Sequence, residues 1–203
     1  MSSFLDEEVP PVSPLGVAAI AELGRCFLEQ LAPEVLKEPK RLDVLDLVDT
    51  RLPKFGIHVC PASREEIGNR DGATDPHGAG EVTVLVSEEV WDALELSGPK
   101  SYYARSTVCH EIGHAVIHVP ALRRQLQVTN VLARSKRGTL AAYNDPEWQA
   151  WSFSGAILMP SVTLLMLRKR HGKLDAKLVS ETYEVSMQMA SNHLKRVKLL
   201  DKN

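Results

Sequence analysis

The stretch from Cys109 to His118, CHEIGHAVIH, places three histidines, a glutamate and a cysteine within ten residues. On an α-helix each residue turns about 100° and rises about 1.5 Å, so His110 and His114 share one face, one turn apart, and both imidazoles can reach a common ion. Glu111 sits at the edge of that face, where its carboxylate can serve as a base toward a water activated by the ion. His118 continues the spacing of four but lies about 12 Å of rise from His110. A zinc–nitrogen bond is about 2.0–2.1 Å, so one ion cannot bridge that span; His118 is expected beside the centre or packed at the helix end. Cys109 points about 100° away from His110 and is expected as a small buried thiol.

A catalytic zinc takes three protein ligands and keeps one position open. The longer signature H-E-x-x-H-x-x-G-x-x-H requires a glycine at position 117 and a histidine at 120, and Ile117 and Pro120 stand there instead. The third ligand must then be a carboxylate from a later helix, and Asp145 and Glu147 are the candidates. Asp145 precedes Pro146 in the manner of an N-cap and is better used on backbone amides. Glu147 lies in the first turn, with Ala150, Phe153 and Ile157 following on the side that would face the motif helix, and is the expected ligand. Two imidazoles and a carboxylate suit zinc, and manganese or iron can occupy such a set.

The elements that must carry these residues follow from periodicity. Leu15 to Leu31 is rich in Ala and Leu at helical spacing, and Leu42, Leu45, Val48 and Leu52 predict a second helix over about 40–52. Residues 55–61 predict a short strand ended by Pro61. Residues 68–80, rich in Gly and Asp, predict an exposed loop. The β-branched run at 81–87 is the best strand, and Ser87 is placed as N-cap of a helix over 88–96. The motif helix is expected over about 104–119, ended by Pro120, and the helix carrying Glu147 over 146–158, ended by Pro160. Further helices are predicted over about 161–170, 175–182 and 186–200, the last two arranged like a helix-turn-helix. Fold class is therefore α+β and mostly helical, with a small sheet. The expected division is a disordered leader at 1–14, a core domain at 15–172 and a helix-turn-helix-like segment at 173–203.

Composition narrows the partners. With 203 residues, 44% hydrophobic and 25% charged, the chain can bury one sizeable core. A formal net charge of −2 argues against a protein that coats nucleic acid. From Ser161 onward, however, nine Lys and Arg face four Asp and Glu, a local +5 that keeps nucleic acid open as a weak alternative. Three widely spaced cysteines imply no disulfide framework and fit a reducing cytoplasm. The acidic, proline-rich MSSFLDEEVPPVSP has neither the basic nor the apolar region of a signal peptide, and no apolar run reaches the length of a membrane span.

The segment Ser106-Thr-Val-Cys-His-Glu-Ile-Gly-His-Ala-Val-Ile-His118, followed by Glu147-Trp-Gln-Ala-Trp-Ser-Phe-Ser-Gly-Ala-Ile-Leu-Met-Pro160, resembles the ImmA/IrrE family of zinc metallopeptidases. That family pairs a helix of form HExGHxxxH with a later one of form ExxAxxFAxxLLMP. Glu147, Ala150, Phe153, Leu158, Met159 and Pro160 match, while Ser154 and Ile157 depart. Near the C-terminus Val185, Ser186 and Leu194 match a VSxxAxxxRL-like helix, while Met189 and His193 depart. The likeness extends over about 40–200. It implies a zincin-like, gluzincin-type core, with His110, His114 and Glu147 as zinc ligands and Glu111 as base. It also implies a helix-turn-helix repressor as substrate, whose cleavage induces a mobile element or a stress response. The edge on which substrate would lie is expected at Val82 to Val86, and Tyr102, Tyr103, Tyr143 and His118 are candidate oxyanion donors. The alternative is a non-catalytic protein of the same fold that binds a repressor or DNA.

Overall fold

The computed structural model describes residues 8–9, 12–75, 80–123, 135–136 and 142–199. Helix α1 (Val17–Leu31) buries Ile20, Gly24, Leu28 and Leu31, the single stripe that its apolar spacing dictates. The next helical stretch starts as a turn, α2 (Val44–Asp46), capped by the Asp43 side chain, and continues as a wider-wound segment over Leu47–Arg51. Strands β2 (Ile57–Ala62), β3 (Gly72–Asp75) and β4 (Val82–Ser87) form a sheet in the order β2-β4-β3, with β2 parallel and β3 antiparallel to β4. Pro61 lies within β2 rather than ending it, which an edge strand tolerates. A separate antiparallel pair joins β1 (Glu8–Val9) to β5 (Ser135–Lys136). Most of the segment expected as a leader lies outside the described residues, and its residues 8–9 are β1.

Ser87 closes β4 and caps α3 (Glu88–Ala93) by accepting from the Val90 amide. Helix α4 (Pro99–Gly113) begins five residues earlier than periodicity predicts, because Pro99 both stops α3's extension and occupies the first turn of the next helix. The helix then widens at His114–His118, where the Val119 amide reaches the His114 carbonyl, and helical backbone continues to residue 123. Pro120 therefore does not end it. Val119 alone separates the wide turn from Pro120, the residue that has no amide hydrogen to offer, and such bulges favour functional sites.

Helix α5 (Pro146–Leu158) is the core of the molecule, buried between α1 and α4. Phe27 meets Phe153 edge to face at 5.5 Å on the α1 side. On the α4 side, a Cβ on Gly113 would stand 3.1 Å from the Cα and carbonyl oxygen of Ala150, so glycine lets the two helices approach with no side chain between them. Helices α6 (Ser161–His171), α7 (Ala176–Tyr183) and α8 (Met187–Arg196) follow, the last two capped by Asp175 and Ser186. The Arg105 guanidinium, buried on α4, donates to the carbonyls of Leu42, Tyr183 and Glu184 and so ties α4 to the start of α2 and the end of α7. The architecture is mostly helical α+β with a small mixed sheet. No single described helix is long and apolar enough to cross a membrane. The bent pair α5–α6 reaches that length and composition together, but α5 is buried.

Candidate metal centre

The close approach of α4 and α5 brings three side chains to one point. Donor atoms of His110, His114 and Glu147 all lie within 4.8 Å of one another. The two imidazole Nε2 atoms are 3.1 Å apart, and each is 3.3 Å from a Glu147 carboxylate oxygen. Bonds of about 2.0–2.1 Å at tetrahedral angles separate neighbouring ligand atoms by about 3.3–3.4 Å, so the spacing fits a single zinc ion. Burial alone would raise the Glu147 carboxyl, but hydrogen bonds from His110 and His114 and their charge outweigh it and hold it well below the usual carboxylate range. Asp145 accepts from the Glu147 amide, the capping role expected of it.

A chain of hydrogen bonds behind His114 fixes which of its nitrogens faces the cluster. The Gln149 amide nitrogen donates to the carbonyls of Ser13 and Tyr143, at 3.0 and 2.7 Å. Its oxygen must then accept, and His118 Nε2 is 3.0 Å away. Burial, with the neighbouring His114 charge, pushes His118 down to about 4, so it is neutral near pH 7 and carries its proton on Nε2. His118 Nδ1 is consequently the acceptor for His114 Nδ1, 2.9 Å away. In neutral His114 the network places the proton on Nδ1 and leaves a bare lone pair at Nε2, the atom aimed at His110 and Glu147; in the charged imidazolium, which binds no ion, Nε2–H donates to Glu147 instead. His118 is a support for a candidate ligand, as its rise along the helix requires, and the widened turn brings the two rings together. His110 is held differently: the Trp151 ring packs on it at 4.2 Å, and its Nδ1 has no partner.

Glu111 is buried and does not join the three. The Thr74 hydroxyl donates to its Oε2 at 2.9 Å, and a Cβ on Gly72 would stand 2.6 Å from its Cγ. Strand β3 therefore lies directly on Glu111. This corrects two expectations. The glycine- and aspartate-rich stretch is not all loop, since residues 72–75 pair with Val86 to Thr83 of β4. The strand at Val82 to Val86 is not an edge, since β2 and β3 flank it on both sides; β3 is the edge next to the centre. Gly72 and Thr74 were hidden because Gly beside Asp reads as a turn signal, although a strand glycine also marks close backbone approach. Gln149 and Trp151 carried no signal, because a helix pattern does not say which polar or aromatic residue will meet an imidazole.

The remaining candidates are accounted for. Cys109 is fully buried, which pushes its thiol up to about 12 and makes it inert. Tyr103 is exposed and its hydroxyl donates to Asp71. His118 has both nitrogens engaged. Tyr143 and Tyr102 enter the framework through their backbone carbonyls.

Residues 101–195 match the family model Peptidase_M78, described as the IrrE N-terminal-like domain. The match spans α4 to α8 and contains every residue of the cluster, and it implies a zincin-like core. No curated protein matches the chain.

Proposed function

We propose that this chain, whose residues 101–195 match the IrrE N-terminal-like domain, is a zinc-dependent endopeptidase of the ImmA/IrrE type that cleaves a helix-turn-helix transcriptional repressor. The observation that carries the reading is the separation of roles at the centre. Three donor atoms converge at zinc-like spacing, while a fourth side chain, Glu111, is held apart from them by strand β3. A purely structural site has no use for that fourth group, and structural zinc favours cysteine ligands.

In this reading His110, His114 and Glu147 hold the ion. Zinc, when bound, supplies Lewis-acid polarisation of the scissile carbonyl and a water acidic near neutrality. Glu111 accepts the water's proton and returns it to the leaving amine. The Thr74 hydroxyl holds one oxygen of that carboxylate. Strand β3 offers its backbone edge to an extended substrate, which would pass over Glu111. The repressor as substrate rests on the family likeness alone.

The test is incubation of the zinc-loaded full chain with a helix-turn-helix repressor encoded beside it, followed by intact-mass analysis. Repressor fragments that disappear with chelator and in Glu111→Gln support the reading. An intact repressor recovered in a stable complex with the zinc-loaded chain supports a binding protein instead.

A further inference from the structure

A cavity of about 400 Å³ opens between α4, α5 and α8, walled by Tyr103, Trp148, Trp151 and Met189, with Asn192 and Arg196 at its α8 side. It adjoins the centre physically. Trp151, one of its walls, is the ring packed on His110, and Trp148 directly follows Glu147. Tyr103, at its rim, donates to Asp71, the residue that leads into β3. A peptide lying along β3 over Glu111 therefore runs toward this opening.

The walls set the chemistry. Two indoles, a phenol and a thioether favour a large apolar side chain by area and by ring contacts. One fixed charge stands among them: the Arg196 guanidinium lies over the Trp148 ring, 5.6 Å from its centroid, and donates to the Trp151 carbonyl at 3.4 Å. Both contacts are to uncharged groups, so the field it projects into the cavity is positive. A lysine or arginine side chain entering there would lose hydration and meet a like charge.

We propose that this cavity is the side-chain pocket of the peptidase, accepting a large apolar or aromatic residue of the substrate beside the scissile bond, with Arg196 excluding lysine and arginine. The proposal rests on the peptidase reading for its chemistry but not for its occupancy, so two measurements separate them.

The first profiles cleavage of a positional-scanning peptide library by the zinc-loaded full chain. One position flanking the cleaved bond is expected to favour Phe, Leu, Met or Trp over Lys and Arg by at least about tenfold, the scale on which a hydrophobic pocket discriminates. Asn192→Trp, which fills the cavity from an exposed position, should lower cleavage of the favoured peptides by a similar factor with its circular dichroism unchanged. Arg196→Met should selectively restore the Lys peptides. A profile without that preference, a preference for Asp or Glu, or a preference that both variants leave intact overturns the proposal.

The second needs no activity. N-acetyl-phenylalaninamide and N-acetyl-lysinamide are titrated into the full chain while the indole N–H resonances are followed. The phenylalanine probe alone should shift those of Trp148 and Trp151 but not Trp91, and not in Asn192→Trp. If no peptide is cleaved but the probe binds so, the peptidase reading fails and the pocket stands. If neither probe shifts these indoles, the pocket fails.

Discussion

Thr74 and Gln149 act on the centre without joining it, and each has a separable consequence. Thr74 holds the Glu111 carboxylate at 2.9 Å. A hydrogen bond to a charged group contributes about 1.5–3 kcal/mol, so Thr74→Val is expected to lower kcat about tenfold or more with metal content unchanged, and Thr74→Ser to recover it. Loss of metal in Thr74→Val would mean that the residue supports the cluster rather than the base. Gln149 sets the proton positions through His118 to His114. Removing such a support weakens metal binding about 10–100-fold, and competition of Gln149→Leu against a chromophoric chelator measures this directly. Affinity equal to the wild type would show that His114 needs no support.

At the scale of elements, the centre depends on how closely α4 and α5 pack. Gly113→Ala puts a methyl 3.1 Å from the Ala150 backbone, so α4 and α5 are expected to separate by a few tenths of an ångström, which loosens the spacing of Glu147 from the two imidazoles. The expected cost is about 1–3 kcal/mol in denaturant unfolding, accompanied by weaker metal binding. Unchanged stability and affinity would show that the interface yields elsewhere. The packing of α8 on α5 makes stability depend on pH. His193 is fully enclosed against Gly155, its Nε2 3.1 Å from the Met159 carbonyl, and burial, with the Arg196 charge, pushes it down to about 4. The unfolded chain takes up that proton below about 6.5 and the folded chain only below about 4, so stability falls as pH drops through this window. At about 1.4 kcal/mol per pKa unit the loss is on the order of 3 kcal/mol, and His118 adds a loss of the same sign over the same window. Unfolding of His193→Gln as a function of pH should show a shallower fall; an unchanged slope would remove His193 from the cause.

At the scale of the whole molecule, the His110–His114–Glu147 cluster was more legible than the sheet beside it. Spacing of four on a helix singled out His110 and His114, and rise per residue removed His118, because both arguments are local to one element. Asp145 and Glu147 were separable because N-cap chemistry distinguishes them. The sheet was less legible: which strand lies at an edge depends on pairing between segments far apart in sequence, and β3 has only four residues with a glycine among them. The widened turn at His114–His118 and the early start of α4 also escaped, since both follow from how proline is accommodated within a longer helix. The family match over residues 101–195 is shorter than the likeness traced from motifs, which reached back to about residue 40, yet it encloses both halves of the centre. The segment joining them, Ala121 to Asp145, lies mostly outside the described residues.

The most direct test is the metal-to-protein ratio of three purified full-length proteins, loaded with zinc and dialysed in parallel: wild type, Glu147→Ala and Glu111→Gln. One ion per chain is expected in the wild type and in Glu111→Gln, and none is expected to survive dialysis in Glu147→Ala. Zinc retained in full by Glu147→Ala, or lost from Glu111→Gln, would contradict a centre built from His110, His114 and Glu147 with Glu111 standing apart as the base.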